Sequence, residues 1–159
     1  MTTMDSAAET ALAEVIAQEE ELRFDAFGYD DAYAVGTRVI ELARSREQAV
    51  AVSIVFGVQR VFHAARAGTR VENNLWLERK TRTVTSYAQS TYRVGLSFRL
   101  RGADFRTTNW HEPNDYAPFG GGFPIRVGEL LVGVVAVSGL AEADDHALVV
   151  EGLRSVRGE

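Results

Sequence analysis

The first part of the chain has the spacing of apolar and polar residues that is typical of helices. Residues 6–22 are predicted to form the first helix, and Ser6 followed by Glu9 has the spacing of a capping box at its start. A second helix is predicted to begin near Asp30 or Asp31, because acidic side chains favour the positive end of the helix dipole.

Alternating apolar residues predict two β-hairpins and one additional short strand. Residues 50–56 are fairly apolar in both alternating sets, which is typical of a strand buried on both faces. Residues 61–65 return beside it as the second strand of the hairpin. Residues 123–127 and 130–137 form the second hairpin around a tight glycine turn, and a short strand is predicted within residues 22–24.

Three further helices complete the pattern. The third starts at Asn73 or Asn74 and extends to about residue 91, and a shorter helix covers residues 92–100. The last helix starts at Asp144 or Asp145. The resulting element order, α-β-α-β-β-α-α-β-β-α, predicts an α+β fold in which helices pack against a five-stranded, mainly antiparallel sheet.

The domain organisation follows from this order. We expect residues 1–20 to form an N-terminal helix and residues 21–157 to form a single domain. Residues 102–122 contain two of the three prolines and a run of three glycines, and they are predicted to form a long ordered loop. Such a loop within a compact domain is usually functional.

Composition excludes several classes of protein. The chain has 159 residues, of which 46% are hydrophobic and 25% charged, as in ordinary globular domains. There is no cysteine, which excludes disulfides, thiolate metal sites and cysteine nucleophiles. The first residues do not have the pattern of a secretory or transit signal, and no apolar run is long enough to span a membrane. We therefore expect a cytoplasmic location and no membrane partner.

The charge is distributed unevenly. The segment from Arg79 to Arg106 contains seven basic residues and one acid, so its charge is +6. The rest of the chain carries −11, which gives the net charge of −5. This segment could meet phosphate or carboxylate groups, or acidic surfaces of the same protein or of another subunit. The sequence pI of about 5.3 argues against a nucleic-acid partner.

Two short motifs are candidates for ligand binding. Arg79 and Lys80 follow Trp76 by one helical turn, and Lys80 is the only lysine in the chain. Its compact ammonium group has a pKa that shifts readily on burial, although surface charge explains the motif equally well. Gly120 and Gly121 could present backbone N–H groups to an anion, or they could simply form the bend that leads into a strand.

The histidines and aromatic residues give weaker signals. His63, His111 and His146 lie far apart and lack metal-ligand spacing, although a haem iron needs only one axial ligand. Of the three, we expect only His111 to lie in a loop that is free to reach an iron. Ser138 lacks the context of a hydrolase nucleophile. It remains a candidate ligand contact, as do Tyr92 and Tyr116, for which aromatic burial is the alternative.

The motifs in the second half of the chain resemble those of the haem-degrading domain family, which includes GlcG-like and HbpS-like proteins, and in particular its uncharacterised branch. The resemblance covers roughly residues 20–155. Its pieces are Trp76-x-x-Arg79-Lys80, Ser90-x-Tyr92, Asp115-Tyr116-Ala117, Gly120-Gly121-Gly122-Phe123-Pro124-Ile125, Val137-Ser138-Gly139-Leu140 and Asp145-His146-x-Leu148-Val149-Val150.

The resemblance implies a profilin-like fold of α-β-α layers, closed homo-oligomers, and haem as a possible ligand. The branch usually has a histidine before the glycine pair, and this chain has Phe119 there. We therefore expect haem to bind weakly, through aromatic stacking and Arg or Lys contacts to its propionates. An anionic metabolite is an equal candidate.

The sequence leaves three kinds of function open. The first is binding of a small anionic or planar molecule by a homo-oligomer, in a pocket formed by the basic helix, residues 110–122 and residues 138–146. The second is an enzyme in which Lys80, Tyr116 or His146 transfers protons. The third is a scaffold for protein interactions. The sequence contains no recognisable set of catalytic residues that favours the enzyme.

Overall fold

The computed structural model describes residues 2–108 and 110–157. The chain forms six helices and five strands in these residues. In order they are α1 (Thr3–Glu21), β1 (Arg23–Phe24), α2 (Tyr29–Ser45), β2 (Ala51–Phe56), β3 (Gln59–Ala65), α3 (Val71–Tyr87), α4 (Thr91–Arg101), α5 (Phe105–Thr108), β4 (Gly122–Val127), β5 (Leu130–Ser138) and α6 (Glu142–Ser155).

The five strands form a single sheet in the order β1-β4-β5-β2-β3. The two hairpins, β2–β3 and β4–β5, join through an antiparallel pairing of β2 with β5, in which Val52 lies opposite Val137. Only the short β1 runs parallel to its neighbour, β4. The predicted α+β fold, with a five-stranded and mainly antiparallel sheet, is confirmed.

Both faces of the central strands are covered, as their two-sided apolar pattern predicts. On one face, α2 and α6 pack against the sheet through a core that includes Val35, Val39, Ile54 and Val135. On the opposite face, α3 packs on β5, β4 and β2, where Leu77 lies in a small buried cluster with Ala51 and Ala136. The inner strands are thus held between two helical layers.

The helix ends differ from the prediction because other residues cap them. The capping box of α1 is formed by Thr2 and Asp5, so this helix starts earlier than Ser6. Helix α3 likewise starts at Val71, because Asn73 acts from inside the first turn and accepts a hydrogen bond from the backbone N–H of Arg70. Both ends satisfy backbone donors that the helix itself leaves unpaired.

The predicted loop 102–122 also differs in part. It contains the short helix α5, and its last residue, Gly122, already belongs to β4. Helix α3 ends at Tyr87, before the predicted residue 91, because Ala88 adopts a left-handed conformation with φ 54°. No helix in the described part of the chain combines the length and apolar character needed to cross a bilayer.

Helix α1 is held to the rest of the chain by a buried carboxylate. Glu19 is 3% exposed, and its Oε2 accepts hydrogen bonds from the backbone N–H and the hydroxyl of Ser90, the N-cap of α4. Its Oε1 lies 3.1 Å from Arg93 Nη1 and 3.7 Å from Arg126 Nη1. A buried carboxylate needs such partners, since burial of an unpaired charge is costly.

Candidate functional site

A cavity of about 460 Å³ opens between three segments of the chain. One wall is the first half of α3, with Asn73, Trp76 and Lys80. The other walls are residues 119–120, at the end of the long loop, and residues 138–145, which connect β5 to α6. The sequence analysis predicted a pocket between these three regions.

The Lys80 ammonium is a buried polar group in the wall of the cavity. The residue is 4% exposed, and its Nζ donates hydrogen bonds to the Val137 carbonyl at 2.9 Å and to Asp145 Oδ2 at 3.2 Å. Burial lowers the pKa of Lys80, and the neighbouring carboxylate opposes this shift. The third N–H of the ammonium has no hydrogen-bond partner among the described residues.

Asp145 is positioned by the start of α6. It is 2% exposed, and its Oδ1 accepts a hydrogen bond of 3.0 Å from the backbone N–H of Leu140. Burial raises the pKa of Asp145, while Lys80 and the backbone N–H groups act in the opposite direction. The same residue therefore caps the turn before α6 and holds the buried amine.

Further polar groups of the cavity are hydrogen-bond donors. Asn73 Nδ2 donates to Ser138 Oγ at 3.2 Å, so the Ser138 hydroxyl proton remains available to another acceptor. Ser138 follows Val137, whose carbonyl accepts from Lys80. The Ser138 hydroxyl and the Lys80 ammonium are therefore neighbouring donors, and both can donate a hydrogen bond to a carbonyl or carboxylate oxygen.

The carboxylates at the rim are paired with arginines. Glu142 lies 3.0 Å from Arg99 and also accepts the backbone N–H of Gly120 at 3.1 Å. Glu72 lies 3.4 Å from Arg70 at the surface. Since Asp145 is paired with Lys80, the charges around the cavity are close to balanced.

Two aromatic rings form the mouth of the cavity. Trp76 and Phe119 meet edge to face, with ring centroids 6.0 Å apart, and Phe119 is 44% exposed. The guanidinium of Arg79 lies 4.2 Å from the Trp76 ring and donates to the Tyr116 and Pro113 carbonyls. Arg79 therefore lies outside the cavity, where it fixes the long loop.

The glycines next to the cavity are required by close packing. Gly121 has a φ of 133°, and a Cβ built on it would lie 2.6 Å from Lys80 Nζ and 2.4 Å from the Val137 carbonyl oxygen. A Cβ on Gly120 would lie 2.3 Å from the Glu142 carbonyl oxygen. The Gly120 N–H is already bonded to the Glu142 side chain, so the alternative interpretation, a bend into a strand, explains this pair better than an anion nest.

His146 lies behind the cavity wall, away from the ligand space. Its Nε2 is 2.6 Å from Gln18 Oε1 on α1, and the Tyr92 ring packs on it at 5.1 Å. Burial lowers the pKa of His146 to about 4, so the imidazole is neutral at pH 7. His146 and Tyr92 therefore join α1, α4 and α6.

His111 and Tyr116 belong to a separate aromatic cluster. Their rings are stacked at 4.2 Å, and Phe105 lies 4.5 Å from the His111 ring. His111 is 6% exposed, and its Nε2 lies 3.3 Å from the Tyr87 hydroxyl. The expectation that His111 is free to reach an iron is wrong, because these contacts bury the imidazole.

Four of the ten predicted site residues line the cavity: Trp76, Lys80, Gly120 and Ser138. Gly121 lies directly behind Lys80, and the structure places Arg79, Tyr92, His111, Tyr116 and His146 elsewhere. Sequence reasoning assigned Asp145 to the helix N-terminus and to one motif of the family resemblance, but not to the site. The signal that could have found it is the isolated lysine, since a buried ammonium needs a carboxylate.

The family profile of haem-degrading HbpS-like proteins matches residues 27–154. The chain belongs to this family. Within it, an uncharacterised protein of the UPF0303 group from Streptomyces avermitilis is 46% identical over 150 residues, which cover 94% of this chain and 92% of the relative. The family match extends over strands β2 to β5, α3, the long loop and nearly all of α6, and therefore includes all three walls of the cavity.

Solved structures of other proteins share the fold of this chain. The crystal structure of Ybr137w superposes with a TM-score of 0.82 at 23% identity, covering 91% of this chain and 86% of that protein. The structure of a PduOC:heme complex has a TM-score of 0.72 at 18% identity, covering 82% and 95%. At these identities the similarity establishes the fold.

The cavity presents two aromatic rings and several hydrogen-bond donors to a ligand. No histidine lines it, and the described residues contain no group of three or more histidine, aspartate or glutamate side chains placed to hold a metal. The aromatic mouth can contact a flat ring, and Lys80 and Ser138 can donate to a carboxylate.

Proposed function

We propose that this HbpS-like protein binds a small planar molecule in the cavity. The ligand carries a carbonyl or carboxylate oxygen that accepts hydrogen bonds from Lys80 and Ser138, and its plane lies against Trp76 and Phe119. The observation that carries the proposal is the buried Lys80 ammonium in the cavity wall, with one N–H that no described residue accepts.

Haem is one candidate ligand. The family description and the heme complex of a structural neighbour support it. Its propionates suit the donors of the cavity, while the absence of an imidazole from the cavity lining favours weak binding without axial histidine ligation. A smaller aromatic carboxylate satisfies the same donors and the same aromatic mouth. We further propose that the protein acts as a homo-oligomer.

Native mass spectrometry of freshly purified protein, followed by titration with haemin, tests this proposal. We expect Lys80→Met to weaken haemin binding about tenfold or more, because a hydrogen bond to a charged group contributes roughly 1.5–3 kcal/mol. Arg82→Met is the matched control, since Arg82 is an exposed base on the same helix outside this cavity.

The proposal predicts different haemin affinities for the two variants. Loss of affinity in Lys80→Met with unchanged affinity in Arg82→Met supports the cavity as the binding site. Equal affinity in the native protein and in Lys80→Met would place haemin elsewhere. A sharp low-spin spectrum that disappears on substitution of one histidine would contradict binding without axial histidine ligation.

A further inference from the structure

We propose that Lys80 is a nucleophilic amine that condenses with the carbonyl group of an aldehyde or ketone ligand to form an imine. This inference rests on the proposed function, since the carbonyl must first bind in the cavity. It goes beyond binding by giving the cavity a covalent chemistry and by naming carbonyl compounds as its ligand class.

The first supporting observation is the position of the amine. Lys80 lies between the Asp145 carboxylate and the Val137 carbonyl, and it also lines the cavity. Lys80 is 4% exposed, so most of the residue is removed from solvent. Gly121 makes this position possible, because any side chain there would displace Nζ.

The second observation is the proton acceptor at the nitrogen. Asp145 Oδ2 lies 3.2 Å from Nζ, and this oxygen can take a proton from the ammonium to give a neutral amine and a carboxylic acid. Burial favours this neutral pair, since it lowers the pKa of Lys80 and raises that of Asp145.

The reaction balances with these groups. The neutral amine attacks the carbonyl carbon, a C–N bond forms, and the oxygen gains a proton to give a carbinolamine. The nitrogen gives up its second proton, the oxygen receives one through Asp145, and the C–O bond breaks with loss of water. The products are one imine and one water, and no oxidant or reductant is consumed.

The single lysine makes the test simple. The protein is incubated with 4-carboxybenzaldehyde, a planar aldehyde with a carboxylate, and imines are trapped with cyanoborohydride. The only amines available are Lys80 and the α-amino group of the chain. Mass spectrometry of peptides locates each adduct, which adds the mass of the aldehyde less one oxygen atom.

We expect trapping at Lys80 in the native protein. An excess of 4-(hydroxymethyl)benzoate, which has the same ring and carboxylate but no carbonyl, should protect Lys80 and leave the α-amine unprotected. Asp145→Asn should slow trapping at Lys80 about tenfold or more, because it removes the proton acceptor. The α-amine is the internal reference for reagent and pH in every sample.

Two results would overturn the inference. One is modification of the α-amine with none at Lys80, and the other is modification of Lys80 that the alcohol does not reduce. Calorimetric titration with the alcohol tests the proposed function separately. If the alcohol binds and no adduct forms at Lys80, the covalent chemistry fails and the binding function stands.

Discussion

His146 makes the stability of the protein sensitive to pH. Its pKa in the folded state is about 4, against about 6.5 for an exposed histidine, because burial disfavours the charged imidazolium. Below pH 6.5 the unfolded chain binds a proton that the folded protein does not. The free energy of unfolding therefore decreases as the pH decreases. The contribution is fully present above pH 6.5 and is lost as the pH falls towards 4.

We therefore expect this group alone to lower the free energy of unfolding by about 2 kcal/mol between pH 7 and pH 5. Urea denaturation at both pH values measures the change. His146→Gln should reduce the difference, whereas His63→Gln should preserve it, since His63 is exposed on β3. An identical pH dependence in native protein and His146→Gln would show that His146 does not cause it.

Glu19 is the second residue whose burial has a measurable consequence. Glu19→Ala leaves the Ser90 donors and the two arginines without their acceptor, so we expect a loss of about 3 kcal/mol in the free energy of unfolding. Glu14→Ala, an exposed change on the same helix, should alter it by less than about 0.5 kcal/mol. Equal urea midpoints for the two variants would exclude an anchoring role.

At the scale of the elements, the approach of β4 to α3 depends on Gly121. Gly121→Ala places a methyl group against Lys80 and the Val137 carbonyl in a backbone conformation that alanine rarely adopts. We expect a loss of about 2–4 kcal/mol in the free energy of unfolding, together with weaker ligand binding. Gly28→Ala is the control, because a Cβ there meets nothing within 4 Å.

The hairpins and helices could be predicted because their signals are local. Apolar residues at both sets of alternating positions along 50–56 and 130–137 indicate strands with two covered faces, and this signal does not depend on distant residues. The pairing of Lys80 with Asp145 joins residues 65 apart, so no spacing in the sequence reveals it. The same holds for Glu19 and Ser90, which are 71 residues apart.

The loop residues show a second limit of sequence reasoning. His111 and Arg79 have side chains that suit ligand binding, but in this fold they contact Phe105, Pro113 and Tyr116 instead. A side chain of the right chemistry does not show whether a ligand or the protein itself receives its hydrogen bonds. That distinction depends on packing between elements that are distant along the chain.

At the scale of the whole molecule, exposed apolar residues favour self-association. Val58, in the turn between β2 and β3, is fully exposed, and Leu130, the first residue of β5, is 72% exposed. Val58 and Leu131 also line a second, largely apolar cavity of about 400 Å³. We expect an oligomer at micromolar concentration, because such a patch is commonly covered by a partner. Light scattering that gives 17.5 kDa over a broad concentration range would contradict this.

The two tryptophans allow a direct test of the cavity as the binding site. Trp76 lies at its mouth, whereas Trp110 is 76% exposed and lies outside it. In protein labelled with 5-fluorotryptophan, each residue gives its own ¹⁹F resonance. We predict that 4-(hydroxymethyl)benzoate and the diamagnetic zinc protoporphyrin shift the Trp76 resonance saturably and leave that of Trp110 in place. A Trp76 resonance that neither compound moves, or a shift of Trp110 alone, would contradict the account.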